Sequence, residues 1–308
     1  MTQSSNTQFY PATTIKVNAH QDGQRLDNFL MAQFRELPKT RIYQMIRKGE
    51  VRINKGRAKP TSRLTEGDIV RLPPVKVEIK AEIHIPDTAW RTLQKSILFE
   101  NKDFLIIDKP SGLAVHAGSE IPYGIIEILK AFGDHDFYEL AQRLDRDTSG
   151  LLLIAKNGQA LRALQNSELE RQYTLIVAGN WAHKFPDKTT IITDPLDTEN
   201  RVNGERYVIV SPEGKKAETH FTLLEKGRST SLLQAILKTG RTHQIRVHSA
   251  ANGFPLLGDR LYHHHDKSGI SRLSLHATKL SFTLFGESFS FNSPIPQSLL
   301  TFFNQLND

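Results

Sequence analysis

The chain has 308 residues, 38% of them hydrophobic and 24% charged, which is enough apolar material for a packed core and too much for a disordered chain. It contains no cysteine, which excludes disulfides, thiolate metal sites and cysteine nucleophiles and suits a reducing, cytoplasmic setting. The formal net charge is +7, and residues 24–72 alone hold 12 Lys and Arg against 5 Asp and Glu, so one short segment carries the charge asymmetry expected of a polyanion binder.

In chain order, residues 1–20 are polar, lack the basic-then-apolar order of a signal peptide, and read as a flexible tail. Leu26, Phe29, Leu30 and Phe34 then recur at helical spacing. A second helix follows, with Thr40 as its cap, Ile42, Met45 and Ile46 on one face, Arg41, Arg47 and Lys48 elsewhere, and Gly49 as a left-handed stop. Val51 with Ile53, and Ile69 to Leu72, read as short strands joined by a Lys-rich loop and the Glu66-Gly67-Asp68 turn. Residues 21–73 therefore form a compact unit of two helices and a few strands. Arg25-Leu26-Asp27, Thr40-Arg41-Ile42, the run from Ile46 to Asn54 and Glu66-Gly67-Asp68 resemble an S4 RNA-binding domain. That resemblance implies that the basic helix face and the following loop grip structured RNA, making Arg41, Arg47, Lys48, Arg52 and Lys55 candidate RNA contacts. Without it, the same residues are exposed cations on a solvated surface.

Pro73-Pro74 marks a boundary, and residues 74–95 read as a linker or peripheral strand. From Ser96 to the end a larger domain follows, with strands expected at 97–99, 104–107, 151–155, 173–177, 217–224, 231–238 and 280–284. Helices are expected at 125–131, 160–167 and 243–251, the last closed by Asn252-Gly253. Strands and helices do not alternate regularly, so the reading is α+β with a mixed or antiparallel central sheet. The longest apolar run near the middle, Leu151 to Ala155, is too short to span a membrane, and no long amphipathic seam demands an oligomer, so a monomer is expected.

Several polar groups crowd one turn in Arg143-Leu144-Asp145-Arg146-Asp147-Thr148-Ser149-Gly150, just before an apolar strand. Neighbouring cations favour the charged form of a carboxylate, which suits attack or proton abstraction, although ion-pair networks with no chemistry look alike. Asp145-Arg146-Asp147-Thr148 also fits the Asp-x-Asp-x-Thr pattern of haloacid-dehalogenase-type phosphatases, with aspartyl phosphate and magnesium chemistry. That pattern needs an apolar strand before the first Asp, whereas here the apolar run follows it. His263-His264-His265 is not read as a metal site, because adjacent side chains point in different directions.

Arg143-Leu144-Asp145 with Thr148-Ser149-Gly150 matches the central signature of the RluA-type pseudouridine synthases. The resemblance extends through Asp108-Lys109-Pro110-Ser111-Gly112-Leu113, Val115-His116, Gln172-Tyr173, the run Gly240 to His248, Gly258-Asp259, Leu275-His276-Ala277 and Leu280. It implies isomerisation of specific uridines to pseudouridine in 23S ribosomal RNA, without cofactor or metal. Asp145 would be the essential carboxylate, attacking sugar or base or removing a sugar proton. Tyr173 would stack on the uracil, with its phenol a candidate base for the C5 proton. Arg246 would pair with Asp145. Arg143 would fill the space of the flipped uridine or serve as a second cation for Asp145. Lys109 and Thr148, in matched segments, join the RNA-binding set. Leu280 would pack on the base or simply belong to the core. Gln142 departs from the pattern, standing where the family usually has His. The rival from another class is an RNA-binding assembly factor with no chemistry, since a basic S4 unit alone would bind RNA.

Overall fold

The computed structural model describes residues 7–34, 37–78, 84–118, 121–135, 137–202 and 205–307. The chain divides after His84 into two compact units.

In the first unit, β1 (Thr7–Tyr10), β2 (Thr13–Lys16), α1 (Leu26–Gln33), α2 (Lys39–Lys48), β3 (Arg52–Ile53), β4 (Gly56–Arg57), β5 (Ile69–Leu72) and β6 (Val75–Glu78) surround their own core. Leu26, Phe29 and Leu30 of α1 meet Ile42, Met45 and Ile46 of α2 there, as their helical spacing requires. A four-stranded sheet in the order β2-β5-β3-β4 completes the unit, and β1 pairs with β6 in a separate ribbon. Two expectations are corrected here. Residues 7–16 are not a tail, because Ile15 and the Val17 that follows pack on the core and their backbone pairs with β5 and β6. Thr40 is not a cap: α2 starts at Lys39, with Pro38 before it in the cap position and no side chain accepting there. Gly49 does close the helix in a left-handed conformation, at φ 71°.

The second unit opens with α3 (Asp87–Gln94), inside what the sequence suggested was linker; Leu93 is fully buried. Then come β7 (Ile97–Glu100), β8 (Phe104–Lys109), α4 (Ile125–Phe132), β9 (Glu139–Leu140), β10 (Ser149–Ala155), α5 (Gly158–Asn166), β11 (Glu170–Ala178), β12 (Thr189–Ile192), β13 (Leu196–Val202), β14 (Glu205–Val210), β15 (Thr219–Lys226) and β16 (Thr230–Leu237). The chain ends with α6 (Gln244–Ala251), β17 (Leu275–Leu284), β18 (Glu287–Asn292) and α7 (Gln297–Asn307). The central sheet runs β12-β15-β16-β11-β17-β10-β8-β7, with β18 beside β17 and β9 beside β10. Only β10 and β17 run parallel among these pairs, so the sheet is mixed. Every residue of β10 is buried, which explains its unbroken apolar run.

Two features of this sheet place the polar turn that precedes β10. Gly150, at φ 104°, is so close to β17 that a Cβ there would collide with the Ala277 backbone. The register of β11 against β17 shifts between Gln172 and Tyr173, which brings Tyr173 opposite Ala277, in line with Gly150 on the other side of β17.

Candidate active site

The turn before β10 is tied down by main-chain acceptors. The Lys109 ammonium donates to the carbonyls of Pro110 at 3.0 Å, Leu113 at 2.9 Å and Arg146 at 2.7 Å. Gly112 N–H donates to the same Arg146 carbonyl at 2.9 Å, and the Ser111 hydroxyl to the Asp147 carbonyl at 2.6 Å. The segment 109–113 thus fixes the backbone immediately after Asp145.

The placement of Lys109 at the RNA surface is therefore corrected. Its side chain is wholly buried and its three hydrogens are committed within the protein. Burial pushes its pKa down to about 7, against the opposing pull of Asp147 and Asp145. The three acceptors ask for a full ammonium, so the charged form is the one this geometry serves below that pH.

Asp145 lies in a cavity of about 590 Å³ lined by Gln142, Arg143, Thr148, Tyr173, His243 and Arg246 among others, within the usual size range for ligand pockets. Arg246 comes from the third position of α6 and binds Asp259 with two parallel bonds of 2.8 Å, through Nε and Nη2. Its remaining Nη1 donates to Asp145 Oδ2 at 3.2 Å. Asp259 is buried and also accepts the amides of Leu261 and Tyr262. Burial opposes the Arg246 charge, but the hydrogen bonds and charge of Asp259, with Asp145 added, more than offset it and keep the guanidinium protonated. Among the described residues, no donor engages Asp145 Oδ1.

His243 precedes α6 in a left-handed conformation, φ 53°, uncommon for a residue with a Cβ. Its Nδ1 lies 2.9 Å from the Tyr262 hydroxyl and its Nε2 3.8 Å from Asp145 Oδ2. The Tyr262 oxygen accepts the Val208 amide of β14 at 3.0 Å, so its own proton is free to go to His243 Nδ1. That assigns the other ring proton to Nε2, the nitrogen that faces Asp145. The Tyr262 ring also lies under the Arg246 guanidinium, 5.0 Å from its centroid.

The cavity gathers Asp145, Arg246, Tyr173, Arg143 and Thr148 from the expected set. Arg143 is exposed at its wall, whereas Tyr173 is nearly inaccessible and burial pushes its phenol up to about 12. Thr148 is 1% exposed, and its hydroxyl and the Gln142 Oε1 have no hydrogen-bond partner among the described residues. Leu280 is 1% exposed and packs in the main core opposite Arg171, and it is not one of the residues lining the cavity, as the core reading of it expects. The cations Arg47, Lys48, Arg52 and Lys55 are exposed on the first unit, while Arg41 is half-buried and paired with Glu50 at 3.0 Å. His243, Tyr262 and Asp259 were not singled out from sequence, although two of them lie in runs that matched the family pattern. Among the described residues no cluster of three potential metal ligands occurs, and no helix is long and apolar enough to cross a membrane.

Comparison with known proteins bears on this geometry. The RNA pseudouridylate synthase family profile matches residues 103–251, and the S4 domain profile matches residues 24–70. The chain is 41% identical over 300 residues to ribosomal large subunit pseudouridine synthase C of Yersinia pestis, covering 92% of each chain. It is 39% identical over 302 residues to the protein of the same name from Escherichia coli, covering 92% of this chain and 93% of that one. Among solved structures, human RNA pseudouridylate synthase domain containing 4 shares the fold, with a TM-score of 0.58 at 21% identity over 71% of this chain and 96% of that one.

Proposed function

From the premise that this chain belongs to the RNA pseudouridylate synthase family, with an S4 domain ahead of the catalytic one, we propose that it converts specific uridines of 23S ribosomal RNA to pseudouridine with Asp145 as the reacting carboxylate. Large-subunit ribosomal RNA is the substrate class that the relatives' names carry. The reaction breaks the C1′–N1 bond, turns the uracil, forms C1′–C5, removes the C5 proton and leaves a proton on N1. Its atoms balance without oxidant, reductant or energy input, so the mechanism calls for no cofactor.

The observation that carries the assignment is the position of Asp145. Its Oδ2 is held by Arg246, which Asp259 holds in turn, while Oδ1 is left for the substrate inside a cavity of nucleotide scale. A carboxylate fixed through one oxygen acts with little loss of freedom on reaching the transition state. The route it takes, attack on sugar or base or removal of a sugar proton, is common to that geometry.

The uridine must leave its stack to reach Asp145. Arg143, exposed at the cavity wall, takes up the space that it vacates. Tyr173 supplies an aromatic face inside the cavity. Its phenol stays protonated at rest because burial raises its pKa, so stacking is its ground-state role and any proton it takes from C5 must follow activation by the bound intermediate. The orphan hydroxyl of Thr148 and the amide oxygen of Gln142 are a donor and an acceptor for the incoming nucleotide. His243 is a positioning residue, turning Nε2–H toward Asp145. The S4 unit anchors the RNA, and the ribosomal substrate places the enzyme in the cytoplasm.

The test is to incubate purified protein with unmodified 23S ribosomal RNA, in chelator and without nucleotide, and to map pseudouridine by carbodiimide-dependent reverse-transcription stops. Discrete new stops support the proposal. Activity only after magnesium is restored, on RNA folded beforehand and exchanged into chelator, contradicts the cofactor-free route.

A further inference from the structure

The four-stranded sheet of the first unit has one face on the core and one on solvent. Val70 and Leu72 of β5 point inward, so Ile69 and Arg71 point out, and both are exposed. Arg71 is directly opposite Thr14 of β2 on one side and Arg52 of β3 on the other. Arg52 is in turn opposite Arg57 of β4. Residues in register share a face, so three exposed arginines lie side by side across three adjacent strands, with Thr14 continuing the row. Lys16, opposite Ile69, adds a cation in the neighbouring row.

Like charges directly opposite in a sheet destabilise it, and alternating sign is the ordinary way to make such a face soluble. Nothing neutralises this row: among the described residues no carboxylate lies within 4.0 Å of Arg52, Arg57 or Arg71. The nearby acids are committed elsewhere, Glu50 to Arg41 and Asp68 to Asn54 and the Thr65 amide.

The row is also held in place. Asn54 and Lys55, at φ 49° and 70°, form the two-residue turn between β3 and β4, and the Asn54 side chain clamps that turn to β5 by accepting from Ile69 N–H at 2.8 Å and donating to Asp68 at 2.7 Å. Arg52 reaches the Gly49 carbonyl at 3.4 Å, and the Arg57 side chain lies against Gly49. Both guanidinium groups thus converge on the carbonyl end of α2, whose last turn carries Arg47 and Lys48. The helix dipole there softens the repulsion of the row without cancelling it.

We infer that the outward face of this sheet, through Arg57 and Arg71, extends the phosphate-binding surface that the α2 face, the following loop and Arg52 begin, and tracks an RNA backbone across the strands. It deepens the reading of the chain as an RNA-modifying enzyme and rests on that reading for the choice of RNA as the polyanion. Contacts of this kind position RNA without reading its sequence, so their loss weakens binding to different RNAs alike.

The test uses the full chain carrying Arg57→Thr and Arg71→Thr together, with Lys76→Thr on the exposed side of β6 as a control of the same charge type. Affinity for a labelled 23S RNA fragment and for an unrelated structured RNA is measured across salt. The expected result is binding weakened about tenfold at 0.15 M salt for both RNAs, with a log–log salt slope shallower by roughly 0.7–0.9 for each arginine removed. Thermal unfolding of the free double variant should be no lower than that of wild type, because repulsion has been relieved. Unchanged affinity and slope overturn the inference, as does an equal loss with Lys76→Thr, which would make the effect one of net charge. A fall in melting temperature that accounts for the binding loss also overturns it. Pseudouridine formation at saturating protein is scored separately: weakened binding by the double variant, when wild type makes no pseudouridine, keeps this surface and sinks the enzymatic reading.

Discussion

Tyr262 places its hydroxyl 2.9 Å from His243 Nδ1 while accepting the Val208 amide at 3.0 Å, so the phenol that anchors the start of α6 also selects which nitrogen of His243 carries a proton toward Asp145. Burial raises the Tyr262 pKa, which keeps that phenol a proton donor. The left-handed backbone of His243 goes with a side chain tied at Nδ1 to Tyr262 and turned so that Nε2 faces Asp145 Oδ2 at 3.8 Å.

Tyr262→Phe removes the proton that sets this arrangement and leaves the cavity lining intact. We expect kcat to fall about ten- to hundredfold, the range for an outer-shell partner, with KM for RNA changed less than about threefold. Imidazole nitrogen shifts of His243 should move from a single Nε2–H tautomer toward a mixture. Loss of activity with an unmoved tautomer would assign Tyr262 a packing role only.

Arg246→Lys keeps a positive charge but cannot bind Asp259 through two parallel bonds and Asp145 through a third. The expected result is a drop in kcat/KM of at least about a hundredfold with RNA affinity retained, measured by single-turnover pseudouridine formation. Near-wild-type turnover would mean that charge alone, not the fork, is what Asp145 needs.

Lys109→Met should destabilise the second unit by about 3 kcal/mol or more, because it leaves the Pro110 and Leu113 carbonyls without this donor and the Arg146 carbonyl with Gly112 N–H alone. The pH dependence has a definite sign. The folded pKa of about 7 lies below the ordinary 10.5, so between those values the unfolded chain binds the extra proton and the contribution of Lys109 to stability rises with pH. It is complete above 10.5 and lost as pH falls toward 7. Urea unfolding at pH 6 and pH 10 should therefore show a larger gap between wild type and Lys109→Met at the higher pH; an equal gap contradicts the burial account.

Much of the site was legible because its chemistry sits in short contiguous runs. Asp145, Arg143 and Thr148 lie within six residues, and the apolar run after them reads as a buried strand, which β10 is. Arg246 was reachable through the family resemblance of its run, and the helix expected at 243–251 begins one residue later, at Gln244. His243 and Asp259 were in view as residues but not as partners, because their roles depend on the meeting of α6 with the loop before Tyr262, which no local pattern encodes. Lys109 misled for a similar reason: a lysine beside a turn is ordinarily solvated, and only the fold brings three carbonyls around it. The strands of residues 7–16 were hidden by short polar sequence, their partners lying more than 50 residues away. By contrast α3 and α7 carried a readable signal, Trp90 with Leu93 and Leu299 with Phe303, at helical spacing.

The central claim is that Asp145 is the reacting carboxylate, and Asp145→Asn tests it most directly. The substitution keeps shape and leaves Arg246 bound to Asp259. Wild type and variant are compared on unmodified 23S ribosomal RNA by carbodiimide stop mapping, with RNA affinity measured in parallel. The account predicts discrete stops with wild type, none with the variant, and affinities within about threefold of each other. Pseudouridine formed by Asp145→Asn at the same uridines would contradict it.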